Sequence, residues 1–273
     1  MEKIYTFGVA GNFTGHLEQA GEARDFVGIK AAAGMPKAVF PTYLPDGDAP
    51  DRLHTYPFDP DKVMLPPDQD KVQIEPECAV IFKAEWNDGN IASLTAKGFC
   101  ASNDCSIRRE GARKISEKKN WGAASKGVSR DIIPVDSFDS AGIMDRYRIA
   151  CFLLRDGEIH EYGEDSAVRD YSCIYGNLTE WLIEHFNHQP DEGPAEDIGS
   201  YLRSAGCPTD ILVSIGATRY TPYGESHFLR DGDIITVMVY PEGMGRDELE
   251  RIVLTGENER TDISVLRQTV YKA

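Results

Sequence analysis

From residue 72 to its end the chain is written as one strand-forming run after another. VQIEPECAVIF, IASLTAKGFCASNDCS, YRIACFLLRDGEIHEYG, DILVSIGATRY and DGDIITVMVY are rich in β-branched and aromatic residues and are broken by turn signals. One break, Asp156-Gly157, suits a two-residue type I′ hairpin turn. Helical periodicity is confined to two places in this part. Residues 171–188 carry Ile174, Leu178, Leu182 and Phe186 four apart on one face. A second helix is expected over 195–205, ended by Gly206. Helices this few, and not set between successive strands, exclude a doubly wound parallel sheet. The expected class is α+β and β-rich, with long mixed β-structure and a few packed helices.

The first 70 residues read differently. Residues 4–10 (IYTFGVA) are a short strand, and 14–33 are helical in part. Between 35 and 70 stand Pro36, Pro41, Pro45, Pro50, Pro57, Pro60, Pro66 and Pro67. Such a segment cannot be a regular helix or a central strand, because each proline lacks an N–H and has a fixed φ. It is expected as an extended surface segment. The organisation read from the text is therefore 1–70, a strand, a helix and a Pro-rich extension, followed by a main β-rich domain over 71–273.

Charge narrows the function. Asp and Glu number 45 against 29 Lys and Arg, for a net −16. Phosphate backbones and anionic membrane surfaces repel such a chain, so neither nucleic acid nor membrane is an expected partner. No apolar run approaches the roughly 18–20 residues of a membrane span. The opening MEKIYTFGVAGNF has no charged region leading into an apolar run, so a signal peptide is not expected. Cysteines 78, 100, 105, 151, 173 and 207 show no C-x-x-C spacing and read as free thiols of a reducing cytoplasm.

Four places could carry chemistry. Glu75-Pro76-Glu77 sets two carboxylates two residues apart at the mouth of an apolar strand, with the missing N–H of Pro76 at an edge or bulge. The pair is either a solvated acidic feature or a site with a cation or proton between the two. Asp104, in Ser102-Asn103-Asp104-Cys105-Ser106-Ile107-Arg108, is either a third oxygen for a hard cation or an Asx turn. Lys126-Gly127 offers an ammonium to an anion or carbonyl, or to solvent. His16, in Asn12-Phe13-Thr14-Gly15-His16, is either a base or a structural histidine.

Taken in order, the four resemble the fumarylacetoacetate hydrolase family. That family carries an E-x-E pair, an N-D-x-S-x-R segment about thirty residues on, and a Lys-Gly or Lys-Ser loop before a proline, here Pro134. It opens with N-Y-x-x-H, matched by Asn12 to His16. Its F-L-x-x-G-D-x-V-x-V phrase is matched by Phe228 to Val237. The resemblance spans about residues 5–240 and implies a mixed β-roll with a smaller N-terminal part, flanking helices and a homodimer or higher oligomer. It implies Glu75, Glu77 and Asp104 as ligands of a divalent ion, Mg²⁺ first with Mn²⁺ or Ca²⁺ as alternatives. Three carboxylates without clustered His or Cys agree with a hard, oxygen-coordinated ion. The implied activity acts on a small carboxylic acid, a 2-oxo or 1,3-dicarbonyl compound. It is C–C hydrolysis, or decarboxylation, hydration or isomerisation, through a metal-bound enolate. His16 is the expected base and Lys126 the charge at the developing oxyanion. Arg108 and Asn103 are expected at the substrate, with bracing of Asp104 as the other role for Arg108.

Two departures from the family pattern stand out. The third residue after His16, Glu in acylpyruvase-like members, is Gln19, so Glu18 is the expected partner of His16, with Glu22 as the other choice. The T-G-T-P turn is replaced by Ser214-Ile215-Gly216-Ala217-Thr218-Arg219-Tyr220. They motivate the alternative of a non-catalytic binding protein on the same fold.

Overall fold

The computed structural model describes residues 4–26, 28–29, 31–32, 34–68, 71–109 and 111–272. Parts of the stretch expected as helical (27, 30 and 33) and of the Pro-rich segment (69–70) lie outside them. Among the described residues the strands are β1 (Tyr5–Ala10), β2 (Ala38–Tyr43), β3 (Lys62–Leu65), β4 (Val72–Gln73), β5 (Pro76–Asn87), β6 (Asn90–Asn103), β7 (Ser106–Ile107), β8 (Gly127–Val128), β9 (Ile133–Pro134), β10 (Tyr147–Arg155), β11 (Glu158–Ala167), β12 (Asp210–Ala217), β13 (Ile234–Pro241) and β14 (Ser264–Lys272). The helices are α1 (His16–Gln19), α2 (Ser116–Lys119), α3 (Tyr175–His188), α4 (Ile198–Ser204), α5 (Pro222–Ser226) and α6 (Arg246–Thr255).

One sheet runs β2-β1-β12-β5-β6-β8, with β9 also on β6, and a second runs β11-β10-β13-β14-β3. The fold is the expected strand-rich α+β roll, mostly antiparallel, with β1 parallel to β12 and β3 parallel to β14. Period-two alternation builds the core. Ile149, Cys151 and Leu153 of β10 and Val237 and Val239 of β13 face Phe7, Val80 and Phe99 of the first sheet. Their neighbours Ala150, Phe152, Met238 and Tyr240 face the other way and are covered by Leu249, Ile252 and Val253 of α6. Helix α3 closes one end, with Phe186 edge-on to Phe7 at 4.9 Å.

The turn chemistry follows the text. Asp156 and Gly157 both take positive φ, 54° and 84°, between β10 and β11. Helix α4 is capped by Asp197, whose carboxylate accepts from Ser200 N at 2.9 Å, and the chain leaves it through Gly206 at φ 81°. Pro41 lies within β2, an edge strand, where an absent N–H costs no ladder bond. The strands of the first part of the chain enter both large sheets, β1 and β2 in the first and β3 on the rim of the second. Pro76 stands beside the register break of β12 between Ser214 and Ala217. It is not at an edge but is the first residue of a central strand, where its carbonyl accepts from Thr218 N at 3.1 Å.

Candidate metal centre

Strand pairing brings the acidic residues together. At the far end of the β5–β6 hairpin Pro76 faces Asn103 and Glu77 faces Ser102. One step on, Asp104 N donates to Glu75 O at 3.0 Å. Asn103 in turn faces Gly127 of β8, which sets Lys126 beside Asp104. Ligand oxygens of Glu75, Glu77 and Asp104 all lie within 4.8 Å of one another, and all three residues are buried.

Each carboxylate has a different setting. Glu75 is gripped by the Lys119 ammonium and by Arg108, whose Nη2 is 2.8 Å from Oε1. Burial pushes the Glu75 carboxyl up, but these two cations outweigh burial and hold it below the usual carboxylate range. Asp104 pairs with Lys126 through Oδ1 and with Lys119 through Oδ2, the latter at 2.8 Å. Glu77 differs from both. Its Oε2 accepts from Gly216 N at 2.7 Å, and burial, then the Asp104 charge, push its carboxyl well up. Gly216 sits at a register break of β12 with φ 120°, where a Cβ would come within 3.0 Å of Asn12 Cβ. A side chain there would be strained, so the bulge that turns this N–H onto Glu77 calls for glycine.

His16 lines a small cavity with Glu22, Glu75, Glu77 and Lys119. Its Nδ1 is 2.8 Å from Thr218 O. A carbonyl can only accept, so Nδ1 carries the proton and Nε2 keeps its lone pair. Burial lowers the affinity of His16 for a second proton. Glu18 is exposed and does not line this cavity, because α1 turns it outward. Glu22 does line it, ion-paired to Arg108 at 2.7 Å and to Lys118 at 3.0 Å. Gln19 is engaged elsewhere. Its side chain accepts from Tyr220 N at 2.9 Å and donates to Tyr220 O at 3.1 Å.

Arg108 is committed on every side. It donates to Gln73 at 2.6 Å through Nε, to Glu22 at 2.7 Å through Nη1 and to the Tyr220 hydroxyl at 2.7 Å through Nη2. It therefore braces Glu75 and Glu22 rather than Asp104. Asn103 is buried and engaged, donating to Gln268 at 3.0 Å and accepting from Glu75 N at 3.2 Å. Lys126 is fully buried and its ammonium is taken by Asp104. Its backbone is held by Gln268, which fills the space a side chain at residue 127 would need. A Cβ on Gly127 would come within 2.4 Å of Gln268 Nε2. That amide donates to Asp59 O at 2.8 Å and so cannot swing aside freely. Gly127→Ala is expected to cost about 1–3 kcal/mol in chemical denaturation, and a change inside about 0.5 kcal/mol would refute this packing role.

Comparison with known proteins places the chain. Residues 22–270 match the model of a family described as "Family of unknown function (DUF5718)". The chain belongs to this family. No curated protein matches it. Solved structures share its fold. A structure of Cg1458 with inhibitor superposes with a TM-score of 0.59 at 16% identity, covering 100% of this chain and 78% of the other. A 2-keto-3-deoxy-D-arabinonate dehydratase complexed with magnesium and 2,5-dioxopentanoate gives 0.58 at 14%, covering 100% and 74%. A 5-carboxymethyl-2-hydroxymuconate delta-isomerase from Mycobacterium smegmatis gives 0.52 at 16%, covering 98% and 79%. At such identities the likeness establishes a fold of the fumarylacetoacetate hydrolase type for this DUF5718 chain.

The donor set fits a hard cation. Glu75 Oε1 and Asp104 Oδ2 are buried and lack an aligned hydrogen bond although cations stand near them. Oxygen-only donors of this kind suit Mg²⁺, Mn²⁺ or Ca²⁺. Sequence reading missed Lys118, Lys119 and the roles of Gly216, Thr218 and Tyr220. Gly216 left a signal, a glycine inside an apolar strand run. The two lysines left none, since SEKK reads as a solvated turn of helix.

Proposed function

We propose that this chain is a divalent-cation-dependent enzyme acting on a small 2-oxo or 1,3-dicarbonyl acid, a divergent relative of the fumarylacetoacetate hydrolases. The observation that carries the reading is the convergence of the Glu75, Glu77 and Asp104 carboxylates beside a cavity that Glu75, Glu77 and His16 line. Glu75, Glu77 and Asp104 would hold the ion. When bound, it supplies Lewis-acid polarisation of a substrate carbonyl. The remaining chemistry belongs to the chain. His16, neutral and with Nε2 unprotonated, is able to take a proton from water or from carbon next to a carbonyl. Thr218 O holds its tautomer, the part a carboxylate plays in a His-x-x-Glu pair. Lys126 and Arg108 fix Asp104 and Glu75, so the ligand oxygens are set before any ion arrives. The similar dehydratase, complexed with magnesium and 2,5-dioxopentanoate, agrees with this substrate class.

One observation favours the second reading, a non-catalytic binding protein. The cavity measures about 20 Å³, room for about one water-sized atom. A screen with Mg²⁺ and Mn²⁺ on acylpyruvates, oxaloacetate and 2-hydroxydienoates separates the two. The enzyme reading expects turnover that EDTA abolishes and the ion restores. Binding of such acids in calorimetry with no turnover on any of them would leave the binding protein as the better reading. Turnover undiminished by EDTA would remove the cation from the mechanism.

A further inference from the structure

The ammonium of Lys119 stands where an added cation would share ligands. Its Nζ is ion-paired to Glu75 Oε2 and lies 2.8 Å from Asp104 Oδ2, and it donates to Asp104 O at 3.2 Å. The residue is 2% exposed. It therefore already neutralises two of the three candidate ligands, and it lines the same cavity as His16, Glu22 and Glu77.

Charge counting sharpens the point. Four buried carboxylates, Glu22, Glu75, Glu77 and Asp104, meet four cationic side chains, Arg108, Lys118, Lys119 and Lys126. The cluster is formally balanced as it stands. A divalent ion added to it would leave two uncompensated positive charges in a poorly solvated space, which is costly. The excess is halved if an ammonium leaves its carboxylates. Lys126 is wholly buried behind Asp104, and Arg108 is locked by four partners. Lys119 alone of the four lines the cavity. It ends a single-turn helix, and the ring of Phe40 lies 5.4 Å from its Nζ. That ring face offers the ammonium a second resting place.

We propose that Lys119 is an internal stand-in for the divalent ion. It occupies Glu75 and Asp104 in the metal-free protein and must withdraw for the ion to bind. The inference rests on the reading that the three carboxylates hold a cation. It adds that loading is an exchange of one bound cation for another, and that the same withdrawal enlarges the cavity on the side of His16.

The test titrates Mn²⁺ alone into the wild-type chain and into Lys119→Gln, following the free-ion signal by electron paramagnetic resonance, with thermal unfolding measured in parallel. The expected result is at least tenfold tighter Mn²⁺ binding by Lys119→Gln. Its melting temperature without metal should fall below that of the wild type and recover on adding Mn²⁺, because the ion then does what the ammonium did. Wild-type affinity or weaker in Lys119→Gln, with the wild type binding normally, would overturn the exchange and leave the metal site standing. No binding by either protein would remove the metal site and the exchange with it. If Lys119→Gln cannot be obtained folded without metal, refolding with Mn²⁺ but not without it supports the exchange, and failure in both conditions overturns it.

Discussion

Asp104→Asn is expected to lower the unfolding free energy by about 3–5 kcal/mol and to abolish divalent-ion binding. The carboxylate lies between two buried ammoniums, Lys119 on Oδ2 and Lys126 on Oδ1, and no other carboxylate touches Lys126 among the described residues. The neutral amide keeps the shape but leaves Lys126 facing no carboxylate among the described residues and Lys119 with Glu75 alone. Removing one partner of a buried pair strands the charge of the other, which is where the large penalty arises. Urea denaturation without metal measures it. A loss under about 1 kcal/mol would mean that water or local movement solvates Lys126 easily, against the burial of this side chain. Metal affinity and stability thus fall together in this variant.

Glu77→Gln separates them. Burial and the neighbouring Asp104 push its carboxyl well up, and its polar contact is one bond from Gly216 N, which an amide oxygen also accepts. The metal-free fold should be nearly indifferent to the change, within about 1 kcal/mol. The ion should not. Losing one of three anionic ligands is expected to weaken Mn²⁺ binding by about a hundredfold, as a loss of about 2.7 kcal/mol would. Calorimetric titration beside the urea curve reads both quantities. An unchanged Mn²⁺ affinity would show that Glu77 is not a ligand. A large loss of stability would show that the protein relies on its charge.

The contrast between these variants also marks what the sequence could show. The strand runs, the Asp156-Gly157 hairpin and helices α3 and α4 follow from local patterns, and those patterns survive folding because each agrees with its tertiary setting. The three acidic residues were legible by order along the chain. What brings them together was not. The β5–β6 hairpin closes at Asn87 opposite Asn90, and counting straight back from there would set Glu75 opposite Ser102. Two bulges, at Ile81/Phe82 and Glu85/Trp86, advance the register and put Asp104 beside Glu75 instead. Bulges are fixed by packing on both faces of a sheet, which a linear text does not display. Likewise nothing local distinguishes a lysine that turns into a carboxylate cluster from one that faces water, so Lys119 could be found in space and not in the sequence. Glu18 and Glu22 differ for a simpler reason. Helix α1 is a single turn, too short to carry a helical phase to residue 22.

Whether Glu75, Glu77 and Asp104 share one ion is most directly read from anomalous scattering of a crystal soaked in Mn²⁺. A single peak is expected, with an oxygen of each carboxylate within about 2.0–2.6 Å of it and the Lys119 ammonium displaced from Glu75. A peak elsewhere, or none at saturating Mn²⁺ with Lys119 still seated between Glu75 and Asp104, would contradict a shared cation site.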